Sequence, residues 1–186
     1  MSQPGDSDAR DPRGYRPLPA GGPAIRADVV DVYLFRAARA APEFLQLLRA
    51  KAPLDSTWQP VMGHCEPGET AVAAAAREMR EEVGLSPGDA GFLGAYAMEQ
   101  VHPFFLASIN AVVLSPRFAV EVDRAWTPRL NHEHSAHRWV TAGDADRAFM
   151  WPGQRATIRE ILSEIVNPGS LSRERLRLDM SLTSEG

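Results

Sequence analysis

Hydrophobic and polar residues alternate in several short stretches of the chain, which is the pattern of half-buried β-strands. The first stretch, ADVVDVYLF, is alternating and β-branched, so it predicts a strand at about residues 28–36. EFLQLLRAK follows after a short alanine-rich link, and its position favours an antiparallel partner strand. STWQPVMG is predicted to be extended because Pro60 disfavours a helical conformation just before it. Further strands are predicted at AGFLGAYAMEQV, FFLASINAVVL and HSAHRWVT.

One stretch, AVAAAAREMREEV, repeats its apolar residues at helical spacing and is built from strong helix formers. Thr70 is the predicted N-cap, and Gly84 is predicted to end the helix. Further helices are predicted at AGDADRAF and GQRATIREILSEIV. Strands with helices interspersed predict an α/β layer fold. The apolar stripe of the first helix is predicted to comprise Val72, Ala75, Ala76, Met79 and Val83.

Local composition divides the 186 residues into three segments. Residues 1–24 are rich in Pro, Gly, Asp and Arg, so they predict a disordered or loosely attached leader. Residues 25–167 carry the periodic pattern and have the length of one domain. Residues 168–186 start with a Pro-Gly breaker and carry mixed charge, and this tail is predicted to be disordered, a partner contact or a short helix.

Charge and cysteine content narrow the range of partners. The formal net charge is −4, so the chain lacks the global basic field that duplex nucleic acid or an anionic membrane attracts. No apolar run approaches the length of a membrane span. The single cysteine, Cys65, excludes an intrachain disulfide and fits a cytoplasmic setting. We therefore expect a small-molecule substrate, no duplex nucleic acid and no membrane partner, and a homodimer stays open.

Three glutamates crowd the end of the first predicted helix. At about 100° per residue, Glu78, Glu81 and Glu82 fall on neighbouring parts of the helix surface, and we expect them to point outward, away from the apolar stripe. Like charges at this spacing repel by about a few tenths of a kcal/mol each, unless a hard cation such as Mg²⁺ or Mn²⁺ binds them. The alternative is a solvated face whose glutamates pair with Arg77 and Arg80.

The spacing of residues around this helix favours the cation site. It resembles, position for position, the signature of the Nudix hydrolases. That resemblance implies an α/β fold, namely an α/β/α sandwich with a central mixed β-sheet. It also implies hydrolysis of a nucleoside diphosphate linked to another moiety. The matching residues are Gly63, Glu69, Arg77, Glu78, Glu81, Glu82, Gly84 and the aliphatic Leu85.

The resemblance further implies a role for each matching residue. Arg77 would orient the helix glutamates, and Glu69 would be linked to Arg77. A backbone carbonyl of Met62 or Gly63 would complete the shell of a divalent metal, Mg²⁺ or Mn²⁺. Either Glu82 or a downstream glutamate would take the proton of the attacking water. The implied metal ligands on the helix are Glu78, Glu81 and Glu82.

Two flanking segments resemble the bacterial dATP pyrophosphohydrolase group, which includes dihydroneopterin triphosphate pyrophosphatases. One is the Trp-Gln pair just ahead of the signature, and the other is NHEHSAHRWV followed by FMWPGQRATIREI. In that group the glutamate of the Glu-His pair reaches the metal or activates water, and Glu133 matches it. The alternative for Glu133 is an ordinary loop carboxylate.

Substrate contacts outside the signature are predicted from charge and aromaticity. Arg49 and Lys51, at the end of the second strand, are candidates to bind phosphates, with surface charges as the alternative. Trp58 and Trp151 are candidates to stack on a base because they flank the expected cleft, with core packing as the alternative. Three nearby histidines do not have the spacing of a helical zinc motif, and hard-cation chemistry already accounts for the site. These histidines are His132, His134 and His137.

The leading hypothesis is a metal-dependent pyrophosphohydrolase acting on a (deoxy)nucleoside or pterin triphosphate and releasing monophosphate and pyrophosphate. Dinucleoside polyphosphates, ADP-ribose and nucleotide sugars are alternative substrates that the signature does not separate. A non-catalytic nucleotide-sensing domain is a further alternative. The intact glutamates of the signature favour catalysis.

Replacing Glu81 or Glu82 by glutamine tests the helix glutamates. We expect Glu81→Gln and Glu82→Gln each to abolish turnover and to leave the fold intact, because each swap removes a charged ligand from a position predicted to be exposed. Nucleotide hydrolysis assays paired with circular dichroism measure both outcomes. Wild-type activity in either variant would show that the metal assignment is wrong.

Overall fold

A computed structural model of the protein describes residues 22–37, 41–52 and 54–180. Most of the predicted leader, residues 1–21, therefore lies outside the described residues, as do residues 181–186 of the predicted tail. The strands are β1 (Ala24–Arg26), β2 (Val29–Arg36), β3 (Glu43–Arg49), β4 (Trp58–Gln59), β5 (Val61–His64), β6 (Phe92–Ala97), β7 (Phe104–Leu106), β8 (Ala111–Val113), β9 (Arg117–Val122), β10 (His134–Thr141) and β11 (Arg177–Leu178). The helices are α1 (Ala71–Val83), α2 (Ala145–Ala148), α3 (Pro152–Glu160) and α4 (Arg173–Leu176), with 3-10 turns at Ala107–Ile109 and Ala142–Asp144 and a π-helical segment at Ile161–Val166.

The larger sheet is mixed, as the resemblance implies. Its strand order is β10-β3-β2-β9-β6-β11, with β4 paired to β3 and β5 paired to β2. β2 and β9 run parallel, whereas the other pairs in this sheet are antiparallel. The predicted antiparallel pairing of the first two long strands is confirmed by the register of Phe35 with Phe44.

Helices cover both faces of this sheet. Successive side chains of a strand point to opposite sides, and β2 carries buried apolar residues on each side. On β2, Val30 and Val32 pack with α1, whereas Tyr33 and Phe35 pack with α3 and the segment after it. The expected α/β/α sandwich is confirmed.

The caps of α1 follow the sequence prediction. Thr70 accepts a hydrogen bond from the backbone N–H of Ala73 at 3.1 Å. Gly84 ends the helix in the left-handed region, with φ 69°, a conformation that favours glycine. In the predicted stripe, Ala75, Met79 and Val83 are fully buried.

One prediction for the segment after β6 is corrected, and one strand there was missed. FFLASINAVVL does not form one strand, because a 3-10 turn and Asn110, with φ 48°, reverse the chain between β7 and β8. These strands form a small sheet with β1, in the order β1-β8-β7. β9, which lies between β2 and β6, was not predicted from the sequence, and it begins with a buried arginine, Arg117.

The described part of the predicted tail contains a short helix and an edge strand. α4 leads into β11, whose Arg177 and Leu178 pair with Tyr96 and Ala95 of β6. Within the described residues, no helix has the length and apolar character needed to cross a membrane.

Candidate active site

The three helix glutamates lie in different environments. Glu81 is half exposed, with 48% of its side chain accessible, whereas the Glu78 side chain is 13% exposed. Glu82 is only 2% exposed, so the prediction that it points into solvent is wrong. The reason is helical phase, since Glu82 stands three residues after Met79 and seven after Ala75, on the buried stripe of α1.

The carboxylate of Glu78 packs against the backbone of the glycine in β5. Gly63 pairs with Val30 of β2, and this pairing fixes the distance between Gly63 and α1. A Cβ atom at Gly63 would lie 1.8 Å from Oε1 of Glu78. Only glycine therefore leaves room for Glu78 in this position. Beside it, the backbone of Met62 forms a hydrogen bond with the Glu82 carboxylate.

Arg77 links the loop before α1 to the helix glutamates. Its Nε and Nη2 donate to the two carboxylate oxygens of Glu69, both at 3.0 Å, and Nη2 also donates to the carbonyl of His64 at 2.7 Å. Its Nη1 donates to Oε1 of Glu78 at 2.8 Å. Such charge-assisted, bidentate contacts are geometrically specific. They raise the pKa of Arg77 and lower the pKa of Glu69.

Burial and neighbouring negative charge disfavour the ionised form of the Glu82 carboxyl group. Burial, followed by the charges of Glu78 and Glu133, raises the pKa of Glu82 to about 9, against the opposing effects of the Met62 hydrogen bond and Arg49. Its Oε2 is buried and has no hydrogen-bond partner among the described residues. Burial also raises the pKa of Glu78, although the hydrogen bond from Arg77 opposes the rise.

Glu133 is brought to this cluster by the turn that leads into β10. Its N–H donates to Oδ1 of Asn131 at 2.9 Å, and its carbonyl accepts from the N–H of Ala50 at 2.8 Å. Its carboxylate lies 3.5 Å from Nη1 of Arg49. The structure thus unites the predicted Arg49 and Glu133 with Glu82. Asn131 was missed, although an asparagine two residues before a functional carboxylate is a signal of such a turn.

The other predicted substrate residues lie elsewhere. Trp58 pairs with Leu48, so it lies on the face of the sheet opposite to Leu47, which packs in the same core as α1. The guanidinium of Arg138 stacks on its ring at 4.2 Å. Trp151 is 49% exposed and precedes α3, which covers that opposite face. Lys51 is exposed at the surface.

His134, next to Glu133, is 4% exposed. Both ring nitrogens are buried and have no hydrogen-bond partner in the part of the chain that the structure describes. Burial, followed by the positive charge of Arg49, lowers the pKa of His134 to about 4. The imidazole is therefore neutral near pH 7.

The chemistry of these carboxylates fits a hard divalent cation, which prefers oxygen ligands. The unpartnered Oε2 of Glu82 fits as well, because a buried carboxylate oxygen is stabilised by a cation. Across residues 22–37, 41–52 and 54–180, however, no three His, Cys, Asp or Glu side chains stand close enough to hold one ion. A Mg²⁺ ion is usually held by one or two carboxylates together with carbonyl oxygens, waters and substrate phosphates, so such a site does not need three converging side chains.

Comparison with known proteins assigns the class. The NUDIX domain family matches residues 25–161, which include the whole signature and Glu133. The chain therefore belongs to the Nudix hydrolases, which act on phosphoanhydrides, and the resemblance seen in the sequence is confirmed.

Two relatives are similar in sequence to part of this chain. The octanoyltransferase of Myxococcus xanthus is 33% identical over 115 residues, which cover 61% of this chain but only 30% of that protein. The asymmetrical bis(5'-nucleosyl)-tetraphosphatase of Sus scrofa is 30% identical over 129 residues, which cover 64% of this chain and 78% of that protein.

A solved structure confirms the architecture. The dihydroneopterin triphosphate pyrophosphohydrolase of E. coli has a TM-score of 0.58 and 24% identity, over 70% of this chain and 92% of that one. At this identity the similarity establishes the fold alone.

The raised pKa of Glu82 predicts how stability depends on pH in the absence of divalent ions. The folded protein keeps this carboxyl protonated up to about pH 9, whereas the ordinary value is 4.5. The contribution of the Glu82 carboxyl group to the free energy of unfolding is therefore fully present below about pH 4.5. It is lost as the pH rises toward 9. We expect Glu82→Gln to lose less stability than wild type between pH 5 and about pH 9.

Urea unfolding in EDTA at several pH values measures this difference. Glu81→Gln, at the exposed position of the same helix, is the matched control and should keep the wild-type slope. Parallel pH profiles of the wild type and Glu82→Gln would contradict the burial of an ionisable Glu82.

Proposed function

We propose that the protein is a metal-dependent pyrophosphohydrolase that cleaves a phosphoanhydride bond of a nucleotide or related compound by attack of water. The observation that carries this proposal is the buried Glu82, which has an unpartnered oxygen and lies beside two further carboxylates. An apolar residue would suit that buried position better, unless the carboxylate binds a positively charged group. Glu78 and Glu133 are the two neighbours.

The proposed metal ligands are oxygens from the helix, the loop and the turn. Mg²⁺ or Mn²⁺ is the proposed ion, because both take carboxylate and carbonyl oxygens together with phosphate oxygens. When bound, such an ion neutralises charge on the phosphates and lowers the pKa of a bound water. The candidate ligands are Glu78, Glu81, Glu82, Glu133 and the backbone carbonyl of Met62 or Gly63.

Other residues of the chain position these ligands and the substrate. Arg77, held by Glu69, keeps the carboxylate of Glu78 against Gly63 and so fixes the position of this proposed ligand relative to β5. Arg49 supplies a cation for the phosphate chain, which is the part of the substrate that all candidate compounds share. Glu82 or Glu133 accepts the proton of the attacking water.

Sequence similarity supports two substrate classes, and ADP-ribose and nucleotide sugars stay alternatives. A (deoxy)nucleoside or pterin triphosphate is favoured by the resemblance of the flanking sequence segments. A dinucleoside polyphosphate is favoured by the similarity to the tetraphosphatase of Sus scrofa, which spans 78% of that protein. A cytoplasmic location, the absence of duplex nucleic acid and membrane partners, and a homodimer stay predictions from the sequence.

A substrate panel separates these classes. Cleavage of a triphosphate releases pyrophosphate, whereas one cut in a dinucleoside tetraphosphate leaves two nucleotides and no pyrophosphate. We expect turnover of at least one class with Mg²⁺ or Mn²⁺ and none in EDTA, measured by chromatography of the products. The panel should contain dATP, a pterin triphosphate, diadenosine tetraphosphate, ADP-ribose and a nucleotide sugar.

The control for this panel is Arg147→Gln, which changes an exposed arginine of α2 that pairs with Asp144 and not with a proposed ligand, and it should keep the wild-type rate. No turnover of any compound, together with tight nucleotide binding, would favour a nucleotide-sensing domain over an enzyme.

A further inference from the structure

His134 is a buried polar side chain that the proposed mechanism does not yet use. It is 4% exposed, whereas Ser135 and His137 on the same strand are exposed. A neutral imidazole carries one hydrogen-bond donor and one acceptor, and in the described structure neither has a partner. An apolar side chain of similar size would fill the position without leaving polar groups unpaired. The histidine therefore calls for a polar partner.

Strand register identifies the partner. His134 pairs with Arg49, the last residue of β3, at an irregularity of the β10–β3 register between His134 and Ala136, and this pairing places the two residues beside each other at the end of the strands. Arg49 and Glu133 are the two charged groups that influence the pKa of His134. Of these two groups only Arg49 can donate a hydrogen bond to the acceptor nitrogen of the ring, because an ionised carboxylate only accepts hydrogen bonds.

Arg49 is also only loosely held by its charged neighbour. The distance from its Nη1 to Oε2 of Glu133 is 3.5 Å, at the outer limit of a hydrogen bond, and both side chains are partly exposed. A guanidinium has five N–H donors, so Arg49 can serve more than one acceptor. A firm Arg49–Glu133 pair would moreover neutralise the carboxylate that the proposed metal site uses.

We propose that His134 is a positioning residue whose ring nitrogen, unpartnered in the described structure, accepts a hydrogen bond from the guanidinium of Arg49 once a phosphate chain is bound. This contact holds Arg49 against the phosphate chain of the substrate and leaves Glu133 available for the metal or the attacking water. An imidazole suits this role because, unlike a carboxylate, it can accept a hydrogen bond from the arginine without cancelling its charge. The inference rests on the proposed function, since Arg49 needs a phosphate chain to bind.

A double-mutant cycle tests the coupling. His134→Leu, Arg49→Met and the double variant are compared with wild type, using dATP or diadenosine tetraphosphate with saturating Mg²⁺. We expect His134→Leu to lower kcat/KM at least about tenfold, mostly through KM, and to have less than about a twofold effect in the Arg49→Met background. His134→Gln, which keeps an acceptor, should recover most of the activity.

Binding gives a second readout that does not depend on turnover. Calorimetric titration with inorganic tripolyphosphate should show weaker binding by His134→Leu and by Arg49→Met, and no further loss in the double variant. His137→Leu, an exposed histidine on the same strand, is the control and should match wild type. If His134→Leu does not fold, His134→Phe and His134→Gln repeat the cycle.

An equal loss of activity from His134→Leu in both backgrounds would overturn the inference, as would wild-type kcat/KM in that variant. In either case an active wild-type enzyme leaves the proposed function intact. A wild-type protein that turns over no compound of the panel contradicts the proposed function itself.

Discussion

The arrangement of this site depends on a carboxylate that the fold holds away from water. Glu82 is 2% exposed and lies within the electrostatic reach of Glu78 and Glu133. In a medium of low dielectric constant, neighbouring negative charges repel strongly, so this cluster costs stability unless it is protonated or binds a cation. A bound divalent cation would offset this cost, which is the basis of the proposed metal site.

The surrounding structure supports that cluster at several points. Arg77 joins Glu69 of the loop, the carbonyl of His64 in β5 and Glu78 of the helix through hydrogen bonds of 2.7–3.0 Å. Gly63 lets the Glu78 carboxylate approach the backbone of the strand. The loop, the strand and the helix therefore form one unit, in which moving any part displaces a proposed ligand.

Local sequence signals predicted much of this arrangement. The limits of α1, its cap at Thr70 and its end at Gly84 follow from propensity and capping rules, which act over a few residues. The burial of Glu82 was also contained in the spacing, since Ala75, Met79 and Glu82 lie on one stripe, but the charge of the residue led to the opposite prediction.

Features that depend on distant pairing were not predictable in the same way. The face of Trp58 is set by its register with Leu48, and a shift by one residue would reverse it. β9 lies between β2 and β6 in the sheet. It was not predicted because it begins with a charged residue, Arg117, which the fold buries. Glu133 reaches the helix only because the β10–β3 pairing brings its turn beside Arg49.

The most direct test is titration of the protein with Mn²⁺, in which electron paramagnetic resonance measures the free ion, with and without a non-hydrolysable nucleotide. If the helix and turn carboxylates hold a divalent cation, wild type takes up Mn²⁺, the nucleotide strengthens binding, and Glu78→Gln weakens it at least about tenfold. Wild-type protein that takes up no Mn²⁺ even with nucleotide present would contradict the account.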